Sequence, residues 1–105
     1  MRAVSSAKRL LEELELLVSQ LEEFIDKALI AHRDYCEKLK TRDYTVEKCT
    51  TQLARALLPV VRGYIERNIY SRAALLAAVH RVAAPDLAER AEKTLLKLKQ
   101  AAKLQ

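Results

Sequence analysis

Leu11, Leu14, Val18, Leu21, Ile25, Ala28, His32, Tyr35 and Leu39 follow one another at alternating steps of three and four. A strand repeats every two residues, so this seam commits the segment 11–39 to one long helix. Written as heptads, Leu11, Val18, Ile25, His32 and Leu39 take position a, and Leu14, Leu21, Ala28 and Tyr35 take position d. The g positions Leu10, Leu17, Phe24 and Ala31 are apolar too. A two-stranded coiled coil places charge at g, so the wider stripe predicts a bundle.

The rest of the chain extends the helical reading. One Gly and two Pro in 105 residues leave little material for the tight turns of a β protein. Lys40 to Tyr44 reads as a turn with Thr41 or Asp43 as the next N-cap, and a second helix is expected from Tyr44 to Asn68. Its apolar face holds Val46, Cys49, Leu53, Leu57, Val60, Val61 and Tyr64. Pro59, inside this pattern, predicts a kink or short break. Asn68-Ile69-Tyr70-Ser71 reads as a connection capped by Ser71. A short third helix, Arg72 to Ala83, would bury Leu75, Leu76, Val79 and Val82. A fourth, from Pro85 to Lys103, would bury Leu87, Ala91, Leu95, Leu98 and Ala102. The expectation is an all-α, compact bundle of four helices in a single domain, 1–105; alternatively, the long first helix projects and is completed by another chain.

Cys36 and Cys49 make no disulfide framework, and with no apolar h-region of a secretory signal in the first nine residues the expectation is two reduced thiols in a cytoplasmic protein. The segment before Glu12 is basic and contains two serines, as transit peptides do, but it runs directly into the helix pattern. The longest uncharged apolar stretch, Ala73 to His80, is too short to span a bilayer, so no membrane partner is expected.

Charge is unevenly distributed. Residues 1–40 carry seven basic and eight acidic side chains, a net of −1, whereas residues 41–105 carry twelve and six, a net of +6. Lys48, Arg55 and Arg62 recur every seven residues opposite the apolar face of the second helix. They form a straight outward stripe with a stride of roughly 10 Å, suited to successive phosphates or a row of carboxylates, although Glu66, four residues after Arg62, partly neutralises its far end. Arg67, Arg72, Arg81, Arg90, Lys93 and Lys97 enlarge this basic surface. Tyr44 and Tyr70 are too few for base-stacking specificity, so contact with the nucleic-acid backbone is the expected mode.

On the first helix, Leu16 and Ile30 fall at f, on the side away from the seam, and Glu23 lies beside them on an outer surface rich in carboxylates. Together they suggest a protein interface, with other subunits or with copies of the chain. His32, Cys36, Cys49 and His80 lack the close Cys pairs of a structural zinc site, and no metal or other cofactor is expected. The outward acids contain no inward Glu-x-x-His motif, and no group supplies an oxyanion hole, so no catalytic residues are assigned.

In size, helical class and charge the chain is similar to the small basic helical subunits of RNA-guided CRISPR effector complexes. The resulting expectation is a non-enzymatic subunit of a nucleoprotein assembly. The alternative is a protein–protein adaptor whose basic face meets an acidic protein surface. A helix-turn-helix DNA binder is a third reading, but Ala73, Ala74, Ala77 and Ala78 would stand where base-reading side chains are needed.

Overall fold

The first helix forms as the seam dictates: α1 runs from Arg2 to Leu39. The computed structural model describes residues 2–81 and 84–102, with the side chains of residues 6–79, 81 and 84–102. Val82, Ala83, Lys103 and the side chain of His80, all assigned parts above, lie outside the described residues, as do the side chains at positions 1–5.

Three further helical stretches follow: α2 (Val46–Tyr64), α3 (Ser71–His80) and α4 (Ala84–Ala101). Between α2 and α3 the chain does not turn. Ile65–Tyr70 is one π-helical segment, and the flanking Tyr64 and Ser71 keep right-handed helical dihedrals. The expected four-helix bundle is therefore corrected to three rods: α1, the continuous α2–π–α3 rod, and α4. The helix-turn-helix reading loses its turn by the same finding, and Ser71 is no cap.

The π segment has a physical cause. Val61, Ile65, Ile69 and Ala73 are all buried and are spaced by four. Steps of four on a regular α-helix rotate by about 40° each, so this row would leave the core within a few turns. The wider π turn holds it in place. Polar side chains occupy the carbonyls nearby: Asn68 Nδ2 donates to the Tyr64 carbonyl at 3.1 Å, and Ser71 Oγ donates to that of Glu66 at 3.0 Å. Asn68 and Ser71, which look like turn residues in sequence, serve the helix instead. Pro59 is also accommodated, and α2 runs through it without a break.

The turn between α1 and α2 differs in its cap. Thr41 closes the turn, its Oγ1 accepting from the Tyr44 amide at 3.0 Å. Thr45 is the N-cap, accepting from the Lys48 amide at 3.2 Å, so α2 starts two residues later than expected.

α1 and α4 run in the same direction, with the α2–π–α3 rod antiparallel to both. Leu14, Val18 and Ile25 of α1 pack with Val61, Ile65, Ile69 and Leu76 of the rod and Leu87, Leu95 and Leu98 of α4. All five residues expected to be buried on α4 are buried. Of those expected on α3, Leu76 is buried, while Leu75 and Val79 are exposed. On α1, Tyr35, Leu39 and Phe24 are exposed, as is Val60 on α2. The molecule is not compact: its radius of gyration is 17.0 Å and its length 64 Å, against about 13 Å for the radius of an ordinary domain of this size. The 38-residue α1 sets this length. Among the described residues, no helix is long and apolar enough to cross a membrane.

The two cysteines are not reduced. Cys36 and Cys49 form a disulfide with a Cα–Cα separation of 5.6 Å, joining the last turns of α1 to the first turn of α2. The expected pair of free thiols is corrected accordingly.

Candidate nucleic-acid interface

A basic side chain paired with a carboxylate of its own chain is less available to an external anion, and the nine predicted cations differ in that respect. Lys48, Arg55 and Arg62 are exposed along α2. Lys48 Nζ donates to the Asp43 carbonyl at 3.4 Å. From Lys48 to Arg62 the row covers about 21 Å along the helix axis.

The α4 cations are engaged differently. Arg90 donates to Glu22 Oε1 through Nε at 3.1 Å and through Nη2 at 2.5 Å, and its Nη2 also reaches Ser19 Oγ at 3.3 Å. The Glu22 carboxylate raises the pKa of Arg90 further, chiefly through this hydrogen bond and against the effect of burial. Lys97 pairs with Asp26 at 3.1 Å, and Lys93 lies 3.8 Å from Glu89. The acidic face of α1 is thus partly neutralised within the chain: Glu22 and Asp26 dock α4.

Arg67, Arg72 and Arg81 are exposed around the rod. Arg67 folds back over Gly63, its guanidinium 3.2 Å from where a Cβ would stand. A small shift of the flexible end of Arg67 would accommodate a Cβ there. Arg81 ends α3 in the left-handed conformation, φ 50° and ψ 45°, a position that usually takes Gly.

Beside the stripe lies a shallow basin of about 750 Å³, lined by Tyr44, Thr45, Lys48, Thr51, Gln52 and Arg55 among others. The Tyr44 hydroxyl donates to Gln52 Oε1 at 2.7 Å, so its ring is held half-buried against α2. Tyr70 is likewise engaged: its hydroxyl donates to the Glu92 carboxylate and ties the π segment to α4. Burial and that hydrogen bond push its pKa up to about 12. Neither ring is a free stacking platform.

Leu16, Glu23 and Ile30 are exposed on the outer side of α1. Glu23 is bridged to Lys27 at 2.7 Å, and the hydrogen bond from Lys27 lowers its pKa. A feature the sequence did not announce lies between α1 and α2. There, Leu21, Phe24, Val60, Val61 and Tyr64 line an apolar groove of about 320 Å³. Its signals were the apolar g position Phe24 and the apolar-face residue Val60, which a bundle with one rod fewer leaves uncovered.

Both thiols of the His/Cys constellation are consumed by the disulfide. Among the described residues, no group of three or more His, Cys, Asp or Glu is placed to hold a metal ion. His32 Nδ1 is shielded from solvent and has no hydrogen-bond partner. Compared with protein-family models, curated proteins and solved structures, the chain matches none.

Proposed function

We propose that this chain is a non-enzymatic helical subunit of a nucleoprotein assembly, contacting the nucleic-acid backbone through the α2 stripe without reading sequence. One observation carries the reading. Lys48, Arg55 and Arg62 stand exposed in a straight row, whereas Arg90, Lys93 and Lys97 of α4 lie against carboxylates. A chain that pairs one set of cations internally and leaves another aligned in solvent supports a polyanionic ligand for the second set. Leu16, Glu23 and Ile30 would face protein neighbours, copies of the chain included. The test is charge reversal: Arg55→Glu with Arg62→Glu should abolish retention of single- and double-stranded oligonucleotides while leaving the helical circular dichroism intact. Undiminished retention would overturn the reading.

A second reading, a protein–protein adaptor without nucleic acid, is favoured by the Phe24–Val60 groove. Its shape and apolar lining suit an amphipathic helix of a partner. Val60→Lys should then release a copurifying protein without altering oligonucleotide retention.

Cytoplasmic residence was inferred from free thiols, and the disulfide removes that premise. A persistent disulfide favours an oxidising compartment or the cytoplasm of a hyperthermophile.

A further inference from the structure

The apolar core stops well short of one end of the molecule. Its members on α1 end at Leu29, and on α2 they begin at Leu57. α4, counted from its pairing with Glu22 and Asp26, ends near the level of Ile30, its last described residue being Ala102. Ala101 of α4 still reaches the first turns of α2, sharing a pocket with Arg33, Val46 and Thr50; α1 from Ile30, the turn and α2 up to Leu53 form this end of the molecule, the tip. Between Ile30 and Leu53 only Cys36 and Cys49 are buried. The large apolar side chains that a hairpin would normally close upon, Ile30, Tyr35 and Leu39, are instead 64%, 53% and 43% exposed.

We propose that the Cys36–Cys49 disulfide, rather than apolar packing, orders this tip, so that the Lys48 end of the basic stripe depends on redox state. The loop contacts are local: Thr41 to Tyr44, Lys40 to Glu37, and Tyr44 to Gln52. None of these three joins α1 to α2, whereas the disulfide does. With Val46 and Leu53 only half-buried, the tip has few buried contacts to offset its ordering entropy, which is the condition for local opening. The other end of the stripe is different, because Arg62 follows the buried Val61 and sits on the core.

Opening the bond takes a dithiol reductant. One of its thiolates attacks a cysteine sulfur, the S–S bond breaks, and a mixed disulfide forms. Its second thiol displaces the remaining cysteine, leaving two protein thiols and an oxidised, cyclic reductant. Cys36 and Cys49 are 0% and 1% exposed, so attack follows a transient opening of the tip rather than preceding it. The consequence for binding rests on the nucleic-acid reading above, whereas the ordering of the tip does not.

The test is hydrogen exchange on the full chain, oxidised against reduced with dithiothreitol and capped with iodoacetamide. Protection of amides 34–50 should fall on the order of 100-fold, the effect of releasing a ring of this size (sequence separation 13). Amides 61–76 and 87–98 should keep theirs. The double variant Cys36→Ser with Cys49→Ser should reproduce the reduced pattern without reductant. Unchanged protection in the tip would overturn the proposal, because other contacts would then hold it. Loss of protection throughout the chain, or a double variant that does not fold, would also overturn it, because the bond would then hold the whole fold. In a parallel binding arm the reduced protein should lose the salt dependence of about one phosphate contact. Local loss of protection with unaltered salt dependence would refute the role of Lys48 in binding and leave the tip inference standing.

Discussion

Three aligned cations make a quantitative claim about salt. If Lys48, Arg55 and Arg62 each neutralise one phosphate, the logarithm of the binding constant should fall with the logarithm of salt concentration at a slope of about −2.7 on duplex and about −2.1 on single strands. Between 50 and 200 mM salt that is a loss of roughly 40-fold and roughly 20-fold, respectively. Arg55→Gln with Arg62→Gln leaves one contact, so the duplex slope should shrink to about −0.9. The paired cations serve as the control. Arg90 and Lys97 already face Glu22 and Asp26, so Arg90→Gln with Lys97→Gln should leave the slope unchanged within error. Fluorescence anisotropy with labelled homopolymers and a mixed-sequence duplex, titrated at four or five salt concentrations, reads all three proteins. A wild-type slope near zero would refute backbone contact. A slope that responds to the α4 variant as strongly as to the α2 variant would refute the distinction between free and paired cations.

Other expectations concern the framework. Leu98→Ala, at a fully buried position of α4, should cost about 3 kcal/mol in urea denaturation, whereas Leu96→Ala, at a position 48% exposed, should cost under about 1 kcal/mol; similar losses at both would contradict the orientation of α4. His32→Leu should stabilise the fold by about 1 kcal/mol, since it removes a shielded ring nitrogen that lacks a partner, and a lower melting temperature would show that Nδ1 is satisfied in solution. Tyr70, with a pKa pushed up to about 12, should be the last tyrosine to ionise in a 295 nm titration, and Tyr70→Phe should remove that last phase. Its folded pKa lies above the unfolded value near 10, so the stability it contributes is complete below pH 10 and is lost as pH rises towards 12.

What could be read from the sequence follows physical lines. The seam of α1 and the buried row of α4 were legible because both faces meet the core at ordinary α-helical spacing. The 61–65–69–73 row broke that rule, since a regular α-helix cannot keep a run of fours on one side. Asn68 and Ser71 then supplied a turn-like composition at the place where a π segment solved the problem. Merging two predicted helices into one rod removed a layer from the bundle. That loss explains why Phe24, Val60, Leu75 and Val79 are exposed although each falls on an apolar stripe. Burial is a property of neighbours, and the number of neighbours depended on a single π turn.

The disulfide was legible in principle, though not from composition. A helical hairpin brings together residues equidistant from its turn, and Cys36 and Cys49 are symmetric about the 42–43 peptide. Cys49 already lay on the apolar face of α2, and Cys36 follows Leu29 by seven residues at position e of α1, facing the same way. Counting two cysteines gave reduced thiols; placing them on the predicted hairpin gives the bond. The basic stripe gains by the same kind of placement. Its charges were visible from the start, but only the pairing of Arg90 with Glu22 and of Lys97 with Asp26 separates cations that hold one helix on another from cations that stand exposed. Sequence fixes where charge lies along each helix, whereas the packing of one helix on another decides which charges are already satisfied.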